Sequence, residues 1–205
     1  MISYSYVESL NIENPFFVVI GAMDGLSHDN LSPLLLKNNY NGLFIEPVRY
    51  VFNKLIDNCK HNNSIILENC AITEEDGESE MFTIDFNKPQ AYPAWSDGGS
   101  SLFPNRTAMK SVENLIKEKV KTHKLETVFK KHNITKVDIL QIDCEGYDYI
   151  VFNQFDFNKY KPYFISIEIM CLPQNEIELI LNKLESNNYK YNNNGSEVLA
   201  VRDEL

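Results

Sequence analysis

Short apolar runs recur along this chain, separated by segments long enough for helices. Residues 16–20, 42–46, 64–68, 81–84, 137–142 and 163–169 read as strands dominated by Val, Ile, Leu and Phe. Residues 31–38, 48–61, 125–132, 147–152 and 176–186 read as helices; in the last, Ile177, Ile180, Leu181 and Leu184 share one apolar face. Alternation of this kind builds βαβ units and a mostly parallel sheet covered on both faces. The end of the chain differs. Residues 189–191 and 198–201 flank Asn192-Asn193-Asn194-Gly195, a turn signal that predicts a C-terminal antiparallel hairpin. The expected fold class is therefore α/β, in one domain over residues 1–205 with an extension at 1–15. Residues 88–109 contain Pro89, Pro93, Pro104 and Gly98-Gly99-Ser100-Ser101, and read as a lid or substrate loop.

Charge narrows the partners. The formal net charge is −10, and the lysines of 117–131 are interleaved with Glu118 and Glu126. That stretch reads as a solvated surface, and no basic face for nucleic acid is expected. No run of about 18 apolar residues predicts a membrane span. The N-terminus lacks the basic and apolar regions of a secretory signal, so the ending Arg202-Asp203-Glu204-Leu205 reads as a chance match to a retention sequence. Cys59, Cys70, Cys144 and Cys171 have no paired spacing, which predicts neither a zinc site nor a disulfide frame and suits a cytoplasmic setting.

In an open α/β sheet, ligands bind outside the carboxyl ends of the strands. Five predicted strand ends carry carboxylates: Asp24 and Asp29 after the first, then Glu46, Glu68, Asp143 with Glu145, and Glu168. Gly21 and Gly25 allow close backbone approach to a ligand. Glu46 follows Gly21 by 25 residues, where such a fold places the acid that binds a ribose diol. An adenosine-type ligand is implied. A nicotinamide dinucleotide requires its phosphates where Asp24 and Asp29 stand, and the G-x-G-x-x-G spacing is absent. S-adenosylmethionine carries no phosphate and is cationic at sulfur, which suits an acidic cleft.

The segments VVIGAMDG, LFIEP, ENCAITEEDG, GGSSLF, VDILQIDCEGYDYIVF and KPYFISIEI occur in this order over about residues 16–202. In these the chain resembles the FkbM family of S-adenosylmethionine-dependent methyltransferases. The resemblance implies a class I, Rossmann-like methyltransferase sandwich with a reversed last strand, and methyl transfer to a hydroxyl of a sugar in a glycan. It implies that Gly21, Ala22 and Gly25 line the methionine half of the cofactor and that Glu46 takes the ribose hydroxyls. Asn69, Cys70 and Ala71 would flank the adenine, and Asp143 would face the methionine ammonium. Asp24 and Pro47 complete the expected cofactor set. The family usually has Asn where this chain has Met23, so Asp24 or a main-chain group would take over that contact.

Alternatives stay open at this point. The acceptor can be a lipid or polyketide alcohol, and the chain can be a non-catalytic cofactor-binding module or a domain of a larger glycan-assembly enzyme. Glu145, Asp143, Glu168 and His28 are the candidate general bases, with Glu145 preferred. No metal is predicted, although Asp143 and Glu145 offer Mg²⁺ a competing use. Trp95, Ser100 and Ser101 are the expected acceptor contacts, and Tyr92, Trp95 and Phe103 offer an apolar floor for a sugar ring. Plainer uses exist too: glycines for a tight turn, acids at helix starts and His28 on a loop surface. Those uses do not explain why the acids coincide at successive strand ends.

Overall fold

The computed structural model of the chain describes residues 2–10 and 12–202. The first half runs α1 (Ser5–Ser9), β1 (Phe16–Ile20), α2 (Ser32–Lys37), β2 (Asn41–Ile45), α3 (Arg49–Cys59), β3 (Ile65–Glu68), β4 (Ala71–Ile72) and β5 (Gly77–Thr83). Short 3-10 turns lead to β6 (Ile116–His123), α4 (Leu125–Lys131), β7 (Ile139–Ile142), α5 (Asp148–Asn153), β8 (Phe164–Glu168), α6 (Gln174–Ser186), β9 (Tyr189–Asn193) and β10 (Glu197–Arg202).

Seven strands form the main sheet in the order β3-β2-β1-β7-β8-β10-β9. β1, β2, β3, β7 and β8 are parallel, and β10 is antiparallel to both β8 and β9. The expected hairpin is present, but its second strand lies inside the sheet and β9 forms the edge. Strand alternation sends successive side chains to opposite faces. Val18 and Ile20 enter a core completed by Val128 of α4, Val151 of α5 and Ile180 of α6. Phe17 and Val19 enter another, completed by Val7 of α1, Leu35 of α2 and Leu55 of α3. Val7 and Leu10 of the expected N-terminal extension are thus part of the core, and the rings of Tyr4 and Tyr6 pack on Phe164 at centroid separations of 6.0 and 6.5 Å.

A second sheet, in the order β4-β6-β5, stands apart from the first. The predicted strand at 81–84 belongs here: it overlaps the end of β5, which starts earlier, at Gly77, and stops at Thr83. The 117–131 stretch is not simply a solvated surface, because its first half is β6. There Lys117, Lys119 and Lys121 are exposed while Val120 and Thr122 are buried. Lys117 pairs with Glu80 at 2.6 Å across the strands, and Lys119 pairs with Glu78. The lysines are the outer half of a period-two pattern. Among the described residues no helix is long and apolar enough to cross a membrane. Of the ending at 202–205, only Arg202 lies within the described residues.

Candidate active site

Strand order reverses between β1 and β7, which leaves a crevice at their carboxyl ends. A cleft of about 270 Å³ opens there. Its floor is the tip of β1. Gly21 and Ala22 both donate backbone N–H bonds to Ile45 O at 3.0 Å, tying the loop to β2. Gly21 has φ +80, and a Cβ at this position would lie 1.7 Å from Asp143 O, so the β1 and β7 tips touch only because no side chain intervenes.

The following loop is held by its own acids. Asp24 accepts from the N–H groups of Leu26 and Ser27 at 2.9 and 2.7 Å and from Ser27 Oγ at 2.9 Å. Burial opposes its charge, but the Ser27 and Leu26 bonds prevail and hold its carboxyl below the usual range. Asp29 accepts from Leu31 N at 2.7 Å and Ser32 N at 3.0 Å, and so organises the start of α2. Glu46, buried at the tip of β2, accepts from Met23 N at 2.9 Å and Val48 N at 2.8 Å. Burial outweighs these two donors and pushes it up to about 7. Met23, with φ +49, thus contributes to the loop by its backbone N–H. Asn69 Nδ2 donates to Glu46 O and Pro47 O at 2.7 and 2.9 Å, fixing the peptide that carries Glu46.

Beyond β7 the chain makes a strained turn, with Glu145 at φ +49 and Gly146 at φ +90. Asp148, fully buried, holds this turn by accepting from Cys144 N at 2.6 Å and Gly146 N at 3.0 Å. Burial, reinforced by the neighbouring acids, raises both Asp143 and Glu168. Burial and the Asp148 charge push Glu145 up to about 7. Oxygens of Asp143, Asp148 and Glu168 lie within 4.8 Å of one another, as do ligand atoms of Glu145, Glu168 and Cys171. Burial pushes Cys70 up to about 12 and raises Cys144 strongly, which keeps both thiols protonated at neutral pH and unsuited to nucleophilic work.

The roof is the 88–109 segment, folded as 3-10 turns. Trp95, Asp97, Gly98, Ser100 and Leu102 face the cleft. Ser101 Oγ donates to Glu145 O at 2.7 Å and Arg106 Nη1 to Gly146 O at 3.3 Å, pinning the roof to the turn after β7. His28 Nε2 lies 3.1 Å from Asp97 Oδ1, joining the roof to the β1 loop.

Of the residues expected to bind or to act, Gly21, His28, Glu46, Pro47, Cys70, Ala71, Trp95, Ser100, Asp143, Glu145 and Glu168 line the cleft, and so do Met23 and Asp29. Ala22, Asp24, Gly25, Asn69 and Ser101 stand behind the wall, where their contacts shape it. Glu68 is not among the lining residues and pairs instead with Lys131 and His132 at 2.7 and 2.5 Å. Sequence reasoning missed Asp97, Asp148, Tyr147 and Met170. Asp148 carried a signal, being an acid in the first turn of a helix just after a glycine.

The lining suits an adenosyl sulfonium in two respects. Ile45, Val51, Ala71, Ile72 and Met81 form an apolar slot beside Glu46, able to take an adenine ring. The acidic lining is Asp29, Glu46, Asp97, Asp143, Glu145 and Glu168, and among the described residues no Lys or Arg joins it, so a cationic ligand is favoured and a phosphate disfavoured.

Comparison with known proteins bears on the fold and the family. The chain is similar in structure to the methyltransferase FkbM from Methylobacillus flagellatus KT, with TM-score 0.57 and 14% identity over 98% of this chain and 48% of that one. It thus spans about half the length of that protein. It is also similar to the METTL16 MTase domain, with TM-score 0.53 and 10% identity over 98% of this chain and 64% of that one. A delta-N form of that domain gives TM-score 0.51 and 11% identity over 98% and 80%. These likenesses show a class I methyltransferase-like fold. No curated protein matches the sequence. A family model described as the methyltransferase FkbM domain matches residues 20–191. The chain therefore belongs to the FkbM domain family of S-adenosylmethionine-dependent methyltransferases.

Proposed function

We propose that this chain is an O-methyltransferase that moves the methyl group of S-adenosylmethionine to a hydroxyl of a sugar in a glycan, releasing S-adenosylhomocysteine. The observation that carries this reading is the position of Glu145. Its carboxyl lines the cleft with a pKa of about 7, under a roof that presents the half-exposed ring of Trp95. A base is most useful when its pKa lies near the working pH, because it is then both largely available and strong enough to take a proton. A sugar ring offers an apolar face to Trp95 and hydroxyls to the surrounding acids.

When bound, S-adenosylmethionine supplies a methyl group on a positively charged sulfur. Glu46 would accept from the ribose hydroxyls, Cys70 and Ala71 would flank the adenine, and Asp143 would face the ammonium. Glu145 would take the proton of the acceptor hydroxyl. Ser100 and Trp95 would orient that acceptor, and the roof pinned by Ser101 would keep water out. Positioning supplies much of such a reaction's acceleration, up to about 7–11 kcal/mol in well-oriented systems. Release of S-adenosylhomocysteine in the presence of a panel of glycans tests the reading. Release that depends on a glycan supports it. Donor binding with release stimulated only by lipid or polyketide alcohols overturns the sugar assignment.

A further inference from the structure

The cleft adjoins a second chamber that the methyl-transfer reading leaves unused. It holds about 190 Å³ and shares His28, Asp29, Asp143 and Glu168 with the main cleft, and its other walls include Tyr4, Gln141, Ser166 and Glu197. Gln141 lies in β7, whose other residues are Ile and Leu, and is 4% exposed. Its Oε1 is buried without a hydrogen-bond partner, and so is Glu168 Oε2. Buried acceptors in this state are costly unless a ligand donates to them. Ser166 is the cross-strand neighbour of Gln141, and its Oγ lies 3.3 Å from Tyr4 Oη. Tyr4 and Asn194 both donate to Glu197, so neutral groups hold that carboxylate in place. Among the described residues no Lys or Arg lines either chamber.

The electrostatics select the ligand. Asp29, Asp143, Glu168 and Glu197 line the chamber and His28 is the one basic side chain on its wall, so an anionic sugar would be repelled and an ammonium attracted. We infer that the chamber is an acceptor subsite for a protonated primary amine, held among Gln141, Glu168 and Glu197 while a hydroxyl of the same molecule lies in the main cleft. The acceptor is then an amine-bearing sugar. This rests on the methyl-transfer reading above. The methionine ammonium of the donor is another source of the same chemistry, and the test separates the two.

The chain saturated with S-adenosylhomocysteine is titrated with glucosamine and with glucose, and both sugars are then assayed for methylation. The expected result is binding of glucosamine about tenfold tighter than glucose, the effect of one charge-assisted hydrogen bond in a buried site. Glu197→Gln and Gln141→Leu should each remove that preference and leave S-adenosylhomocysteine affinity within about twofold. Equal binding of the two sugars by the unaltered chain, or binding of neither, overturns the subsite whether or not the variants fold. If sugars are still methylated in that case, the broader reading stands without it; if none is, both fall. A fall in S-adenosylhomocysteine affinity in the variants assigns the chamber to the donor and also overturns the proposal.

Discussion

Replacing Gly21 by Ala tests how closely the two strand tips must meet. The added Cβ would sit 1.7 Å from Asp143 O and 2.8 Å from Asp143 C, both main-chain atoms, at a residue with φ +80. Bending the bond angle by 15° moves a Cβ by only about 0.4 Å, at a cost of about 4 kcal/mol, so angle strain cannot relieve the overlap. The tips must part instead, which breaks the Asp143 N–H bond to Ile20 O at 3.0 Å. Adding about 1 kcal/mol for that bond, about 1–2 for the left-handed backbone and the remaining overlap gives about 4 kcal/mol. In a chain of this size that lowers the melting temperature by about 8–16 °C. Gly195→Ala is the control, because Gly195 has φ +91 but nothing within 4 Å of its Cβ, and only the backbone cost applies. Thermal unfolding of both variants, with S-adenosylhomocysteine titrations, reads the difference. A melting point for Gly21→Ala within about 3 °C of Gly195→Ala would refute the contact argument.

Other outcomes follow from the acids. Glu46, Glu145 and Asp148 have folded pKa values above their unfolded ones, so their contribution to stability is complete below about pH 4 and is lost as pH rises through 6 to 7. For Glu46 alone, the rise from 4.5 to about 7 corresponds to about 3 kcal/mol, and denaturant midpoints of the ligand-free chain should fall between pH 5 and 8; a steady increase over that range would contradict the burial of these groups. Glu145→Gln should lower turnover by about 10²–10⁴-fold with S-adenosylhomocysteine affinity kept, whereas near-normal turnover at saturating acceptor would remove Glu145 as the base. Glu46→Gln should weaken S-adenosylhomocysteine by about tenfold or more, since it loses a charged acceptor and sets an amide against the N–H groups of Met23 and Val48. Methyl transfer that survives EDTA would leave the clustered carboxylates to proton and cation binding, and transfer abolished by EDTA and restored by Mg²⁺ would place a metal among them.

Much of this site was legible before the fold was known because strand ends announce themselves. An apolar run that stops at Gly21 or Asp143 has to stop at one end of the sheet, so the polar residues after it gather in one crevice. Glu46, Asp143, Glu145 and Glu168 were found that way. Glu68 obeyed the same rule and yet was turned aside, because Lys131 and His132 from α4 lie beside it. Nothing local to Glu68 in the sequence discloses a partner more than sixty residues away. The β6 strand was hidden for another reason: its buried face consists of Val120 and Thr122 alone, too little apolar signal among so many lysines. The 88–109 segment stood out by its prolines and glycines, but its pairing of Asp97 with His28 depends on tertiary geometry that no spacing encodes. Tyr4 was invisible as a site residue, since only the packing of α1 on the sheet brings its hydroxyl to Ser166 and Glu197.

The central claim is an acidic, phosphate-excluding crevice that takes a cationic adenosyl donor. Calorimetry of S-adenosylmethionine against the purified chain at pH 6 and pH 8, in buffers of differing ionisation enthalpy, tests it most directly. The account predicts one donor per chain, tighter at pH 8, with proton release as cleft acids raised by burial, Glu46 and Glu145 among them, ionise against the cation, and no measurable binding of NAD⁺. Absence of donor binding, or NAD⁺ binding as tightly as S-adenosylmethionine, would contradict it.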